Sequence, residues 1–277
     1  MPTAGELYTS FVAAMNARDW ATAESLLAPS PTVNGQPLSS AFLITQISGL
    51  SGLGPDLVST IDLIHETQAG DAAFTRVIHR LTLSQDAFGA KATGKPVEFA
   101  EHSLFKVEDG KVAVINTMMD FEALREGAEE QIRWAPKLVQ PAPAPEGFDL
   151  QATYDAYVAS LNDRTFNQKY LEFTNDTLTH NTNDLTADQF RGFLEEATKI
   201  IEGQKYHVAE TIVDNEKQRI AARIVISGTP AKEFRGMKPT GKSVEFPENA
   251  LYQFDGGKIK QITALLDLDA YRKGLEA

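Results

Sequence analysis

The sequence contains no cysteine. That excludes a disulfide scaffold, a thiolate nucleophile, and zinc or iron–sulfur sites built on thiolates. Histidine is scarce, with five in the chain. His65, His79 and His207 form no metal-ligand spacing with each other or with nearby carboxylates, so neither a metal nor another cofactor is expected. Basic residues are in the minority, 26 Lys and Arg against 38 Asp and Glu, for a net charge of −12. Nucleic acid needs a positive patch for its phosphates, and so does an anionic membrane surface; neither is an expected partner. No apolar run approaches the ~18 residues that read as a membrane span. The first residues, Met1-Pro2-Thr3-Ala4-Gly5-Glu6, lack the basic stretch and apolar core of a secretory signal, so a cytoplasmic location is expected. Phosphate loops, dinucleotide fingerprints and nucleophile elbows are also missing. The glycines of Gly49-Leu50-Ser51-Gly52-Leu53-Gly54 do not follow a strand and open a helix, as a nucleotide site requires.

What the sequence does contain is a repeat. Thr93-Gly94-Lys95-Pro96-Val97-Glu98-Phe99 recurs as Thr240-Gly241-Lys242-Ser243-Val244-Glu245-Phe246, an offset of 240 − 93 = 147. Continued without gaps to Gly127 and Gly274, 15 of 35 positions are identical, far above chance, so the chain is a duplication. The same offset pairs Arg76 with Arg223, His102 with Asn249 and Asn116 with Thr263, while an offset of 146 pairs Tyr8 with Tyr154, Asn16 with Asn162 and Arg18 with Arg164. Pro136, Pro141, Pro143 and Pro145 mark the joint, where alternating Pro and Ala favour an extended spacer. The expected organisation is a unit over 1–134, a proline-rich linker over 135–147 and a second unit over 148–277.

Within each unit, helices precede strands. Leu7, Phe11, Ala14 and Met15 stand at helical spacing, as do Tyr154, Tyr157, Val158 and Leu161. Further helices are expected near 41–49 and over 187–201, the latter opened by the capping box Thr186-x-x-Gln189. Strands follow at 57–65, 72–83, 96–107 and 111–119, with counterparts at 206–213, 219–229, 243–254 and 258–266. Asp109-Gly110 and Gly256-Gly257 supply the positive φ of tight hairpin turns. This is an α+β pattern: a curved antiparallel sheet wrapped round its own N-terminal helices, giving two tandem cone-shaped units, each with a cavity.

The run from Gly228 through Arg235-Gly236-Met237-Lys238-Pro239-Thr240-Gly241-Lys242, then Val244-Glu245-Phe246, then Tyr252-x-Phe254-Asp255-x-Gly257-Lys258-Ile259 resembles the SnoaL-like polyketide cyclases of the nuclear-transport-factor-2-like superfamily. The resemblance implies the cone fold, and for a tandem chain a monomer holding an internal pseudo-dimer. It implies cofactor-free cyclisation, isomerisation or dehydration, by proton transfer, of a small apolar carbonyl or polyketide-like molecule. The family pattern continues after Gly-Lys-Ile with a Glu-His-Trp-like run. Here those His and Trp places hold Ile115/Asn116 and Ile262/Thr263, which departs from family-type acid–base chemistry in both copies.

Because the second copy keeps the pattern better, the candidate catalytic residues are taken from it. His180 or Asp267 would act as acid or base, Arg223 would stabilise developing negative charge, and Asn249 and Thr263 would orient substrate. Each has a plainer alternative: a surface loop for His180, a helix N-cap for Asp267, and an outer-face pairing with a carboxylate for Arg223. Tyr154 and Asn181 join as substrate contacts, and so do Arg76, His102 and Asn116 from the first copy. By strict alternation Asn116 and Thr263 fall on the core or cavity face. A non-catalytic protein of the same fold is the competing reading, binding a small hydrophobic ligand or filled by its own side chains. Cavity content separates the two.

Overall fold

The computed structural model describes residues 1–127 and 134–276; residues 128–133, at the end of the expected first unit, and Ala277 lie outside the described residues. The chain divides into two compact units, 1–134 and 135–277.

The first unit opens with α1 (Ala4–Ala17), whose Thr3 cap and Glu6 form a capping box, followed by α2 (Trp20–Ser25). Next come the short strands β1 (Leu27–Val33) and β2 (Gln36–Pro37), then α3 (Ser40–Leu53). The long strands β3 (Val58–Glu66), β4 (Ala72–Thr82), β5 (Pro96–Glu108) and β6 (Lys111–Met119) follow, and α4 (Phe121–Glu126) closes the unit. The second unit repeats this order: α5 (Leu150–Asn162), α6 (Phe166–Phe173), β7 (Thr174–His180), β8 (Asn183–Thr186), α7 (Ala187–Ile200), β9 (Ile201–Asp214), β10 (Arg219–Pro230), β11 (Val244–Asp255), β12 (Lys258–Leu266) and α8 (Leu268–Glu276). Each unit has one six-stranded sheet, in the orders β2-β1-β6-β5-β4-β3 and β8-β7-β12-β11-β10-β9. The architecture is the expected α+β one.

β1 and β7 lie in stretches where the sequence pattern predicts neither helix nor strand. They add to the sheets in parallel, beside β6 and β12, with a register jump between Leu27 and Thr32 and between their counterparts. Pro29 and Pro31 interrupt β1, and proline cannot donate to a ladder; the pairing rests on non-local contacts that local sequence does not announce.

One irregularity sets which side chains face inward. In β6, Val112 pairs with Val107 and Val114 with Lys106, so one extra residue, Ala113, is bulged out. In β12 the extra residue is Lys260, between the pairs Ile259–Phe254 and Gln261–Gln253. A bulge inverts the alternation beyond it. The core face therefore runs Val112, Ile115, Thr117 and Met119, the last three lining the interior with Val112, and in β12 it runs Ile259 then Ile262. Asn116 and Thr263 lie on the outer face, opposite to the expectation from unbroken alternation.

The hairpin turns match the sequence chemistry. Asp109 and Gly110 adopt φ of 50° and 72°, and Gly256 and Gly257 adopt 60° and 80°. A Cβ on Gly257 would come within 2.9 Å of Pro145 Cδ, so that turn also needs the missing side chain. The proline-rich segment is extended and hydrogen-bonds to the second unit's own strands and turns. Gln218 Nε2 donates to Ala142 O (2.7 Å), Ala142 N to Asp255 Oδ1 (2.6 Å) and Gln261 Nε2 to Lys137 O (3.2 Å).

Candidate functional site

The end of each first helix fixes the adjacent sheet strand by the same device. Asn16 Nδ2 donates to Ser59 O (2.8 Å) and Asn16 Oδ1 accepts from Ser59 N (2.9 Å). Asn162 does the same to Tyr206, at 2.8 Å both ways. Arg18 and Arg164 add a bond each, to Leu57 O (3.0 Å) and Gln204 O (2.6 Å). The repeated Asn-x-Arg thus pins one residue of β3 and its equivalent in β9 beneath the helix. In the first copy that residue is a serine and in the second a tyrosine.

The consequences diverge from there. The first unit holds a cavity of about 480 Å³ between its helices and the core face of its sheet, lined mostly by aliphatic and phenyl groups. Its polar lining includes one connected chain. Ser59 Oγ lies 2.9 Å from His79 Nδ1, and His79 Nε2 lies 3.0 Å from Glu101 Oε2. Glu101 Oε1 accepts from the Ser103 hydroxyl (2.7 Å) and the Tyr8 hydroxyl (3.3 Å), and Ser103 Oγ is 2.8 Å from Thr117 Oγ1. Cross-strand register explains the assembly: Ser59 pairs with His79, His79 with Phe99, and Ser103 with Thr117, with Glu101 one same-face step along β5.

Burial pushes the Glu101 carboxyl up, but the His79 hydrogen bond and charge outweigh it, with Ser103 and Thr117 assisting, and hold it down at about 2. It is therefore a carboxylate at neutral pH. Burial first, then the negative charge of Glu101, drives the Tyr8 hydroxyl well above its ordinary value, so Tyr8 remains a donor. An ionised Glu101 accepts the Nε2 proton of His79. The lone pair of a neutral ring is then on Nδ1, facing Ser59.

In the second unit the carboxylate and the helix tyrosine are kept, as Glu248 and Tyr154, and the other four members of this chain are replaced. At the 147 offset Ser59 becomes Tyr206, His79 becomes Ile226, Ser103 becomes Ala250 and Thr117 becomes Ala264. Tyr206 packs against the core, and Tyr154, Tyr157 and Tyr252 fill the interior, with Tyr154 and Tyr252 rings 5.0 Å apart. A pocket of about 40 Å³ is found there, beside Leu161, Phe166 and Tyr206. That is room for a water or two. Glu248, the counterpart of Glu101, is raised by burial to about 7.

The residues chosen from sequence fall elsewhere. His180 ends β7 and packs on the Phe190 and Phe193 rings, at 5.9 and 5.0 Å, with burial lowering its pKa. Asn181 adopts φ 55° and its Oδ1 accepts from Ala264 N (2.8 Å), tying the β7–β8 turn to β12; Asn34 does the same to Thr117 N (3.0 Å) in the first unit. Asp267 Oδ1 accepts from Ala270 N (2.8 Å), which is the N-cap geometry. Arg223 and Asn249 do meet, Nη1 donating to Oδ1 at 3.1 Å. Burial lowers the Arg223 pKa, with Asp267 and Glu210 close enough to oppose that. Both lie on the outer face, because the core face of β10 and β11 carries Ile220, Ala222, Ile224, Ala250 and Tyr252. Thr263 shares the outer face through its pairing with Leu251. In the first unit Arg76 pairs with Asp62, and His102 stands edge-on to Phe74 at 5.3 Å, again away from the cavity, as is Asn116. Of the sequence candidates Tyr154 alone points into a core interior, and that interior is filled.

Ser59, His79, Glu101, Ser103 and Thr117 were missed as a group. The signal lay in the duplication: four positions where the copies differ as polar against apolar or aromatic all share a face with the conserved-in-both carboxylate position 101/248. Among the described residues no cluster of three or more His, Asp or Glu side chains suits a metal ion, and no helix is long and apolar enough to cross a membrane.

A family model described as SnoaL-like polyketide cyclase matches the chain twice, over residues 5–126 and 151–274. No curated protein matches closely. Among solved structures, a SnoaL-like polyketide cyclase from Agrobacterium tumefaciens is similar at 17% identity, covering 46% of this chain and 98% of its own, with a TM-score of 0.42. IdmH from Streptomyces antibioticus is 22% identical, covering 44% and 94%, with a TM-score of 0.40. TsrD from Streptomyces laurentii is 15% identical, covering 46% and 93%, with a TM-score of 0.41.

Proposed function

The chain belongs to the SnoaL-like polyketide cyclase family, and on that premise we propose that its first unit transfers protons to and from a small, mostly apolar carbonyl compound. One observation carries this reading: a Ser59–His79–Glu101 hydrogen-bonded chain on the wall of an otherwise apolar 480 Å³ cavity. A cavity of this size suits a small organic molecule. Its apolar walls would bind the carbon skeleton, and its polar group would be drawn to the hydroxyls beside Glu101.

In this reading His79 Nδ1 is the base. Glu101 holds the ring in the tautomer with its lone pair on Nδ1 and stabilises the imidazolium formed when a proton arrives. The carbonyl oxygen, gaining negative charge as an enolate forms, would draw the Tyr8 hydroxyl on the same wall away from its long 3.3 Å bond to Glu101. Return of the proton to a different atom gives isomerisation, and attack of the enolate carbon on a second carbonyl gives ring closure. The second unit, with Ile226 where His79 stands and an interior filled by tyrosine, has a non-catalytic role in this reading.

The test is solvent exchange. A panel of small enolisable aryl ketones in deuterated buffer, followed by NMR, is expected to show exchange at the carbon beside the carbonyl. His79→Ala is expected to slow it about 100-fold or more, in keeping with the usual worth of a general base. Equal exchange by wild type and His79→Ala would overturn the assignment. Binding of a ketone without exchange would favour a ligand-carrying protein.

A further inference from the structure

We infer that Ser59 is also a nucleophile, and that the first unit's cavity can cleave small esters of apolar acids. Proton transfer as described needs His79 and Glu101. It gives no reason for a serine hydroxyl 2.9 Å from Nδ1, on the very nitrogen the base would use. A nucleophile, a base and a carboxylate that orients the base form the arrangement that activates serine, and it is recognised by geometry and not by chain order. Here the three come from adjacent strands, β3, β4 and β5. Ser59 is 6% exposed, lines the cavity, and is held at both backbone groups by Asn16. Leu57, Leu81 and Phe99 line the same cavity and would accept a short acyl chain.

The step balances without any further reagent than water. Ser59 Oγ bonds to the ester carbonyl carbon as its proton passes to His79 Nδ1, and the carbonyl electron pair moves to oxygen. Collapse breaks the bond to the alkoxy group, which leaves with the Nδ1 proton and yields an acyl-Ser59. Water then gives a proton to Nδ1 and adds to the acyl carbon, and Ser59 departs with that proton as the acid is released. The amide of Ser59, a natural oxyanion donor, is already given to Asn16 Oδ1. Loss of one such donor costs about 100-fold or more in rate, so the hydrolysis is slow and is better seen by trapping than by turnover.

The second unit is a built-in control, because its equivalents Tyr206, Ile226 and Glu248 lack both nucleophile and base. The full chain is treated with an alkyl fluorophosphonate, digested, and the adduct mapped by mass spectrometry, alongside release of p-nitrophenol from p-nitrophenyl butyrate. The expected result is modification at Ser59 and none in the second unit. Labelling should fall about 100-fold in His79→Ala, and p-nitrophenol release should vanish in Ser59→Ala that retains the wild-type circular dichroism spectrum. An unmodified Ser59 in the folded wild-type protein overturns the inference, as does unchanged labelling in His79→Ala. The inference rests on the same cavity as the proton-transfer reading but not on its outcome. Exchange without labelling removes the nucleophile alone, and labelling without exchange removes the proton-transfer reading alone.

Discussion

Glu101 and Glu248 occupy equivalent positions, and their neighbours drive them in opposite directions. Glu101 has a histidine and hydroxyl donors, and sits at about 2; Glu248 has burial alone, and sits at about 7. Both start from an ordinary value of 4.5. A depressed carboxyl stabilises the fold above 4.5 and gives that stability up as pH falls toward 2. A raised carboxyl does the reverse, its contribution present below 4.5 and lost as pH rises through 7. Each shift corresponds to up to about 3 kcal/mol. We therefore expect acidification from pH 8 to 5 to stabilise the second unit, and from pH 5 to 2 to destabilise the first. Denaturant titrations across pH would show this, with tryptophan fluorescence, from Trp20 and Trp134, reporting the first unit. Glu248→Gln should remove the upper dependence and Glu101→Gln the lower.

At the scale of elements, the latch between each first helix and its strand is a shared structural part, to which the proposed function gives unequal weight in the two units. Asn16→Ala and Asn162→Ala each remove two hydrogen bonds to strand backbone, so each should cost about 2 kcal/mol. Only Asn16→Ala should also lower the proposed activity, because only there does the pinned residue belong to the Ser59–His79–Glu101 chain. Equal activity loss from both variants would mean that the effect is one of stability alone. The bulges at Ala113 and Lys260 belong to the same scale. Each rotates the outer part of a strand by one face, and it is this rotation that turns Thr117 inward and Asn116 outward.

At the scale of the molecule, duplication has left one copy open and the other filled. A small apolar fluorophore such as anilinonaphthalene sulfonate should therefore bind with a stoichiometry near one per chain by titration, not two. Ser59→Tyr places the second copy's residue in the first copy and should abolish that binding, while the circular dichroism spectrum stays unchanged. A stoichiometry of two, or binding that survives Ser59→Tyr, would contradict the contrast between the copies.

The duplication, the α+β order, the glycine hairpin turns and the family resemblance were all legible in the sequence, because each is a local pattern or a comparison of the chain with itself. The strand spans 111–119 and 258–266 needed no structure at all. Which copy is hollow was not legible. Cavity volume is a sum over side chains from strands distant in sequence, and the exchange of Ser59 for Tyr206 means little until both are known to sit beneath the helix. The facing of the candidates was not legible either. Alternation predicts a face only while the register is unbroken, and a single extra residue in β6 and in β12 reverses it. Composition restricted any chemistry to histidine, carboxylate, arginine and hydroxyl groups; tertiary pairing decided which of these meet at a cavity, because β3, β4 and β5 bring Ser59, His79 and Glu101 to one face.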